Sequence, residues 1–168
     1  KHPVAPSFEI FIDETLKIID FQGKNANPVH NTSISRLYLD NTQLTQVEIP
    51  ADITKISSMA LSGFSSITQI TVSPDNPNYT SADGALLSKD KTVLLTVPAG
   101  MTGSYTAPAG VATVADTAFH RAALTDVSLP SGVTSIGDHA FDKSEIIHIT
   151  LPEGLLSIGE HAFFGCDN

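Results

Sequence analysis

Three stretches near the C-terminal end of the chain repeat one another every 22 residues: SYTAPAGVATVADTAFHRA, DVSLPSGVTSIGDHAFDKS and HITLPEGLLSIGEHAFFGC. Pro108, Pro130 and Pro152 fall in register. After them come Val111, Val133 and Leu155, then Val114, Ile136 and Ile158, then the pairs Ala118-Phe119, Ala140-Phe141 and Ala162-Phe163. A fixed period in the twenties leaves few architectures open. One such unit cannot enclose its own apolar face, so copies must stack and share a continuous hydrophobic spine.

Each unit reads as strand, corner, return. In Asp126-Val127-Ser128-Leu129 the alternation sends Val127 and Leu129 inward and leaves Asp126 and Ser128 on the outer face of a sheet. Pro130 lacks an N–H and fixes its φ, so the strand stops where the chain must turn. Ile136 then returns to the core, and Asp138 is placed to cap a short helical turn whose Ala140 and Phe141 pack inward. The small residue three positions beyond each Phe (Ala122, Ser144, Cys166) faces a confined interior slot.

Earlier copies are fainter. The unit from Leu44 through Ile49-Pro50, Ile53, Ile56 and Ala60-Leu61 matches the one ending at Ala118-Phe119 with a constant offset of 58 residues. Strands ending at Ile49, Val72, Ala107, Leu129 and Leu151 are spaced 23, 35, 22 and 22, so one turn carries extra residues. That excess reads as a β-hairpin insertion at about residues 79–97, with Lys89-Asp90-Lys91 as its turn. A similar outward hairpin is expected before Leu44, with strands at Phe8–Ile12 and Leu16–Phe21. Residues 1–36 are taken as an N-terminal β-rich cap and 37–168 as the repeat domain.

The net charge of −9 argues against a phosphate-binding role, so nucleic acid is not an expected partner. No apolar run approaches the ~20 residues that span a bilayer. No export signal is visible in the chain, which is consistent with a mature secreted form as well as with a cytosolic one. Cys166 stands alone, which excludes a disulfide framework within the chain and a thiolate zinc site.

The segment Leu124-Thr-Asp-Val127-Ser-Leu129-Pro130-Ser-Gly-Val133-Thr-Ser-Ile136-Gly137-Asp-His-Ala140-Phe141 resembles the BspA-like leucine-rich repeats, and Ile146 to Cys166 matches through the terminal Cys. Asn76 to Thr92 looks like an insertion this family often carries. The first unit departs from the pattern, with Leu61 and Phe64 where Phe and Cys are usual, and residues 1–36 are not covered. The resemblance implies an α/β fold. It is a right-handed leucine-rich repeat solenoid with a parallel β-sheet on one face, short helical turns opposite and a β-hairpin insertion. It also implies secretion or cell-surface display, with adhesin-like binding in some members; it does not imply an enzyme, and neither an enzyme nor a cofactor is expected.

Candidate sites follow from which side chains the repeat turns outward. The exposed sheet positions are Gln46, Glu48, Gln69, Thr71, Thr106, Asp126, Ser128, His148 and Thr150. Repeat proteins bind on such faces, but these residues are short and polar, without obvious aromatic anchors, so an ordinary solvated sheet competes with a ligand face. His139 and His161 share a repeat position beside Asp138 and Glu160, a potential metal pair. Their outward place and the capping use of acids weigh against that, and no metal site is assigned. Asp75, Asn76, Asn78 and Asp83 are rich in oxygen, yet their spacing is not that of a calcium loop and suits a turn better. Cys166 reads as a packed thiol. Asn31-Thr32-Ser33 and Asn78-Tyr79-Thr80 fit the glycosylation pattern without further support.

Two functional classes remain. One is a non-enzymatic, secreted or surface module that binds a host or cell-surface protein or a glycan. The other is a structural spacer or assembly unit, able to self-associate through the last repeat, where Ile149, Leu151 and Ile158 lack a following rung unless Phe163 and Phe164 cover them. Tyr38, Tyr79, Tyr105, Phe11 and Phe164 gathered in one exposed patch would favour binding; scattered or buried, they favour the spacer. A hydrolase built on the histidine ladder is a remote third reading.

Overall fold

The computed structural model describes residues 8–12, 18–20 and 33–39 as backbone strands, and 44–167 in full. The side chains of these first three strands, those of Phe11 and Tyr38 among them, lie outside the described residues. The strands are β1 (Phe8–Ile12), β2 (Ile18–Asp20), β3 (Ser33–Leu39), β4 (Gln46–Ile49), β5 (Lys55–Ile56), β6 (Gln69–Val72), β7 (Tyr79–Ala82) and β8 (Ala85–Ser88). They continue as β9 (Val93–Thr96), β10 (Gly103–Thr106), β11 (Thr113–Val114), β12 (Leu124–Ser128), β13 (Ser135–Ile136), β14 (His148–Thr150) and β15 (Ser157–Ile158). They wind a right-handed solenoid of about five turns.

The main face consists of two parallel sheets, β2-β4-β6 and β10-β12-β14. Opposite lie β1-β3-β5 and the six-stranded β15-β13-β11-β9-β8-β7. The sequence period becomes register: Tyr105 pairs with Val127 and Val127 with Ile149, while Val114 pairs with Ile136 and Ile136 with Ile158. After each strand a tight turn brings the amide of Val111, Val133 or Leu155 to the carbonyl of Pro108, Pro130 or Pro152.

The shared spine is present. Phe119 and Phe141 are fully buried and stack at 4.6 Å with 15° between planes, and Phe163 continues the column at 4.9 Å and 2°. Such a stack adds about 0.5–1.5 kcal/mol per pair beyond burial. Ala122 and Ser144 fill the confined slot, at 0% and 2% exposure. Cys166 below them is half-buried, its Sγ donating to the Phe141 carbonyl at 3.0 Å.

Three expectations need correction. The described residues contain no helix, so the helical turns opposite the sheet are absent. The corner around each Ala-Phe pair holds two left-handed residues four apart: Thr117 (φ 58°) and Arg121 (56°), His139 (53°) and Lys143 (56°), His161 (53°) and Gly165 (69°). A left-handed residue cannot continue a right-handed helix. Alternate amides instead point to the next rung: Thr117, Phe119 and Arg121 donate to the carbonyls of Asp138, Ala140 and Asp142. The intervening amides of His120 and Ala122 close three-residue turns on Thr117 and Phe119. Asp138 therefore caps no helix. Its Oδ1 accepts the amide of Glu160 at 2.7 Å, as Asp116 Oδ1 accepts that of Asp138 at 2.9 Å.

The insertion is also more than a hairpin. Asp83 (φ 49°) and Gly84 (φ 79°) break the run from Tyr79 to Ser88 into antiparallel β7 and β8, and β8 pairs antiparallel with β9, giving a three-stranded meander. Its Leu86, Leu87 and Leu94 are buried, so it is folded into the core rather than turned outward. Before Leu44 no matching hairpin occurs among the described strands: β1 pairs in parallel with β3, and β2 with β4.

Candidate functional site

The outward residues of the main face are placed as the alternation requires. Gln46, Glu48, Gln69, Thr71, Thr106, Ser128, His148 and Thr150 are exposed, and Asp126 is half-buried. They do not form one continuous surface. Gln46 lies beside Gln69 and Glu48 beside Thr71 on β4-β6, whereas Thr106-Ser128-Thr150 and Asp126-His148 form rows on β10-β12-β14. β6 and β10 do not pair, because the tip of the β7–β8 hairpin takes the edge of β6: the Ile70 amide donates to the Gly84 carbonyl at 2.8 Å and the Val72 amide to Ser81 Oγ at 3.1 Å.

On the C-terminal half His148 Nδ1 sits 3.4 Å from Asp126 Oδ1, both largely solvated, while Asp126 Oδ2 accepts the Thr125 hydroxyl at 2.6 Å. With Ser104, Thr106, Ser128 and Thr150 they line a shallow hollow of about 180 Å³. The arrangement offers hydroxyl, carboxylate and imidazole groups to a ligand but presents no activated nucleophile. A larger cleft of about 480 Å³ opens at the break between the two sheets, lined by Thr68, Asp83, Gly100, Met101, Thr102, Ser104, Tyr105, Thr106 and Leu124. Of these, sequence alone singles out Thr106 on the sheet face, Asp83 in the oxygen-rich loop and Tyr105 among the aromatics. The signal for the rest was the 35-residue spacing, which marks the turn where the sheet breaks.

Tyr105 forms part of this region from within. Its position between rows puts the ring inward, edge-on to Phe119 at 5.9 Å, and its hydroxyl is buried without a hydrogen-bond partner. Burial first, and the carboxylate of Asp83 second, hold its pKa well above the ordinary phenol value.

The histidine ladder exists. The rings of His139 and His161 stack at 5.2 Å, and Phe164 meets His161 edge-on at 5.5 Å. Asp138, the acid beside His139, spends its Oδ1 on the amide of Glu160, and among the described residues no three His, Cys, Asp or Glu side chains converge as a metal site. Sequence reading missed His120 and Asp142. Asp142 Oδ2 lies 3.3 Å from His120 Nδ1 and 3.8 Å from His139 Nδ1, without alignment for a hydrogen bond, and both Nδ1 atoms and Asp142 Oδ1 are buried without one. Burial lowers the His120 pKa, and Asp142 opposes that shift.

The oxygen-rich loop is a turn held by one residue. Asn76 is fully buried; its Nδ2 donates to the Pro50 and Ile53 carbonyls, each at 2.8 Å, and its Oδ1 accepts the Asn78 and Tyr79 amides, each at 2.9 Å. The aromatic criterion gives no patch among the described residues. Tyr79 is half-buried with its hydroxyl accepting the Ile56 amide, Tyr105 is buried, and Phe164 is exposed at the last rung. That rung leaves Ile147, Leu151, Leu156 and Ile158 exposed as well, so Phe163 and Phe164 do not cover it. No described helix is long and apolar enough to cross a membrane.

The pattern of the BspA type leucine rich repeat region matches six copies across residues 10–103 and 101–168. Among solved structures, a leucine-rich repeat protein from Eubacterium ventriosum is similar at 29% identity and a TM-score of 0.69, over 79% of this chain and 37% of that one. The pneumococcal vaccine antigen PcpA is similar at 26% identity and TM-score 0.68, over 82% of this chain and 35% of its own. A leucine rich cell surface protein from Faecalibacterium prausnitzii gives 28% identity and TM-score 0.62, over 81% and 43%. The chain thus spans less than half the length of these relatives. Comparison with curated proteins finds no significant match.

Proposed function

Since the chain belongs to the BspA-type leucine-rich repeat family, we propose that it is a non-enzymatic binding module, secreted or displayed at a cell surface, that holds a protein or glycan on its main sheet face. One observation carries this reading. The outward side chains of β4, β6, β10, β12 and β14 are exposed and mostly free of structural duties, while the backbone and acids at the opposite corners are consumed between rungs. Leucine-rich repeat scaffolds present such faces to partners. Surface display is supported by the cell-surface protein among the similar structures. The test is a screen of the purified protein against extracellular-matrix proteins and a glycan array. A hit is then repeated with Ser128→Arg on the sheet face and Thr134→Arg on the opposite side. Loss with the first change and retention with the second supports the face; the reverse pattern refutes it.

A second reading, the spacer or assembly unit, is favoured by the lack of an exposed aromatic patch among the described residues. Light scattering over a dilution series separates the two: concentration-dependent self-association abolished by Leu156→Lys supports assembly, and a monomer at every concentration rejects it.

A further inference from the structure

We propose that the cleft between the insertion tip and the edge of β10 is a docking slot for an extended peptide segment carrying a basic side chain, which pairs with β10 as an added strand. The proposal rests on the binding-module reading and locates its ligand.

Three observations lead there. First, β10 is an edge strand whose outward groups have a defined direction. The Ala107 amide donates to the Ser128 carbonyl at 3.0 Å, so alternation along a parallel strand turns the amides of Ser104 and Thr106 away from β12, into the break. β6 does not meet them, because its own edge is taken by Gly84 and Ser81. An edge of this kind recognises an extended chain through main-chain hydrogen bonds, with flanking side chains choosing the sequence.

Second, the cleft has the size and lining for such a segment. Its volume of about 480 Å³ lies within the usual range for ligand sites, with Met101 and Leu124 supplying apolar surface and Thr68, Ser104 and Thr106 supplying hydroxyls.

Third, its charge has one sign. Asp83 stands exposed at the rim, held there by its left-handed backbone, and Asp126 lies beside Ser104 in the next strand. No Lys or Arg is among the lining residues. A carboxylate without a cation at the mouth of a backbone-lined slot selects Lys or Arg from an incoming strand.

The test is an amide-shift titration of the ¹⁵N-labelled full chain with the blocked peptide Ac-Thr-Val-Arg-Val-Thr-NH₂. Shifts centred on Asp83-Gly84 and Met101 to Thr106 are expected. Affinity should fall about tenfold with Arg replaced by Glu in the peptide, and by a similar factor in the Asp83→Asn protein, the worth of a hydrogen bond to a charged group. The Glu145→Gln protein, altered away from the cleft, should bind as the parent does. Backbone N-methylation of the peptide should abolish binding. The proposal is overturned by equal affinity for the Arg and Glu peptides, by shifts confined to β12 and β14, or by no shifts at millimolar peptide. It is also overturned if a glycan, rather than the peptide, moves the cleft amides. If a partner from the screen still binds the sheet face while the cleft amides stay still, the slot fails and the binding-module reading survives.

Discussion

Asn76 and Asn78 lie two residues apart, and each donates from Nδ2 to a backbone carbonyl at 2.8 Å, yet truncating them should have very different effects. Asn76 is at 0% exposure and makes four hydrogen bonds, joining the insertion to the preceding coil at Pro50 and Ile53. Asn78 is exposed and its side chain reaches the Thr54 carbonyl. Each intramolecular hydrogen bond is worth about 1 kcal/mol net, and a buried partner left unpaired costs about 1–3 kcal/mol more. Asn76→Ala loses four bonds at once, and entry of a water to the vacated space recovers part of the loss. The net expectation is about 3–5 kcal/mol, against a typical domain stability of about 5–15 kcal/mol. Asn78→Ala should cost about 1 kcal/mol or less, because water replaces the lost partner. Urea unfolding followed by far-UV circular dichroism measures both, a suitable probe for a chain without Trp. A difference below about 1 kcal/mol between the two variants would show that this side chain does not hold the insertion in place.

Asn76→Asp adds a pH test: full burial and the two facing carbonyls raise the folded carboxyl pKa against the two amides that still donate to Oδ1. The penalty should be full above that value and relieved as acid protonates it, and urea titrations repeated across the acid range that show no such relief would refute this. Gly137→Ala should destabilise by about 3 kcal/mol or more, since a Cβ there meets the Asp116 amide nitrogen at 2.6 Å and the Ala115 carbonyl carbon at 2.8 Å. Gly154→Ala, whose nearest neighbour would be 3.6 Å away, should be nearly neutral in the same melt. Tyr105→Phe should raise stability by about 1 kcal/mol by removing a buried hydroxyl with no partner; a loss of that size would reveal a bond the geometry does not contain. His120 has a lowered folded pKa, so its contribution is present above the ordinary imidazole value near 6.5 and is lost as pH falls through that value toward the depressed one. The melting temperature of the parent should therefore drop more steeply than that of His120→Gln between about pH 7.5 and 5, and parallel curves would refute the assignment.

The parts of the molecule legible in its sequence are those in which one position answers to one direction. Val127, Ile136 and Phe141 repeat because each faces the spine, and their stacking follows from the period without knowledge of the backbone between them. The corner was misread because Ala-Phe after an acid looks like a capped helix. Left-handed Thr117, His139 and His161 are neither Gly nor Asn; histidine favours a positive φ only weakly and threonine not at all, so their identity was a faint signal. Gly137 and Gly159 mark a close approach, each lying against the acid 21 residues earlier, a relation that local pattern does not carry. In the insertion, Asp83-Gly84 is itself a strong turn signal, and reading the run from Tyr79 to Ser88 as unbroken hid the hairpin that splits the main sheet. Alternation alone tells which side chains of each strand turn outward, but their division into two groups depends on Gly84 meeting Ile70, a tertiary contact.

That division bears on how the fold can do anything beyond stacking. At the corners, alternate amides from Thr117 to Arg121 and from His139 to Lys143 are donated to the next rung, Asp116 and Asp138 cap the amides of Asp138 and Glu160, and Gly137 leaves no room for a side chain. A substitution at these positions alters rung-to-rung hydrogen bonding or packing before it alters recognition, so that side has little freedom to vary chemically. The main face is different: Thr71 and Thr125 each donate a hydroxyl to a carbonyl of the preceding rung, but Gln46, Glu48, Gln69, Thr106, Ser128 and Thr150 project from strands paired through their backbones, and replacing them disturbs no inter-rung bond. The insertion concentrates this freedom at one place. By occupying the edge of β6 it leaves β10 with main-chain groups as well as side chains to offer, which an uninterrupted repeat of strands does not provide. The turn that carries the insertion is therefore where backbone and side chain together can discriminate among ligands, and mutagenesis aimed at recognition is best begun at Asp83, Ser104 and Thr106 rather than at the histidine ladder.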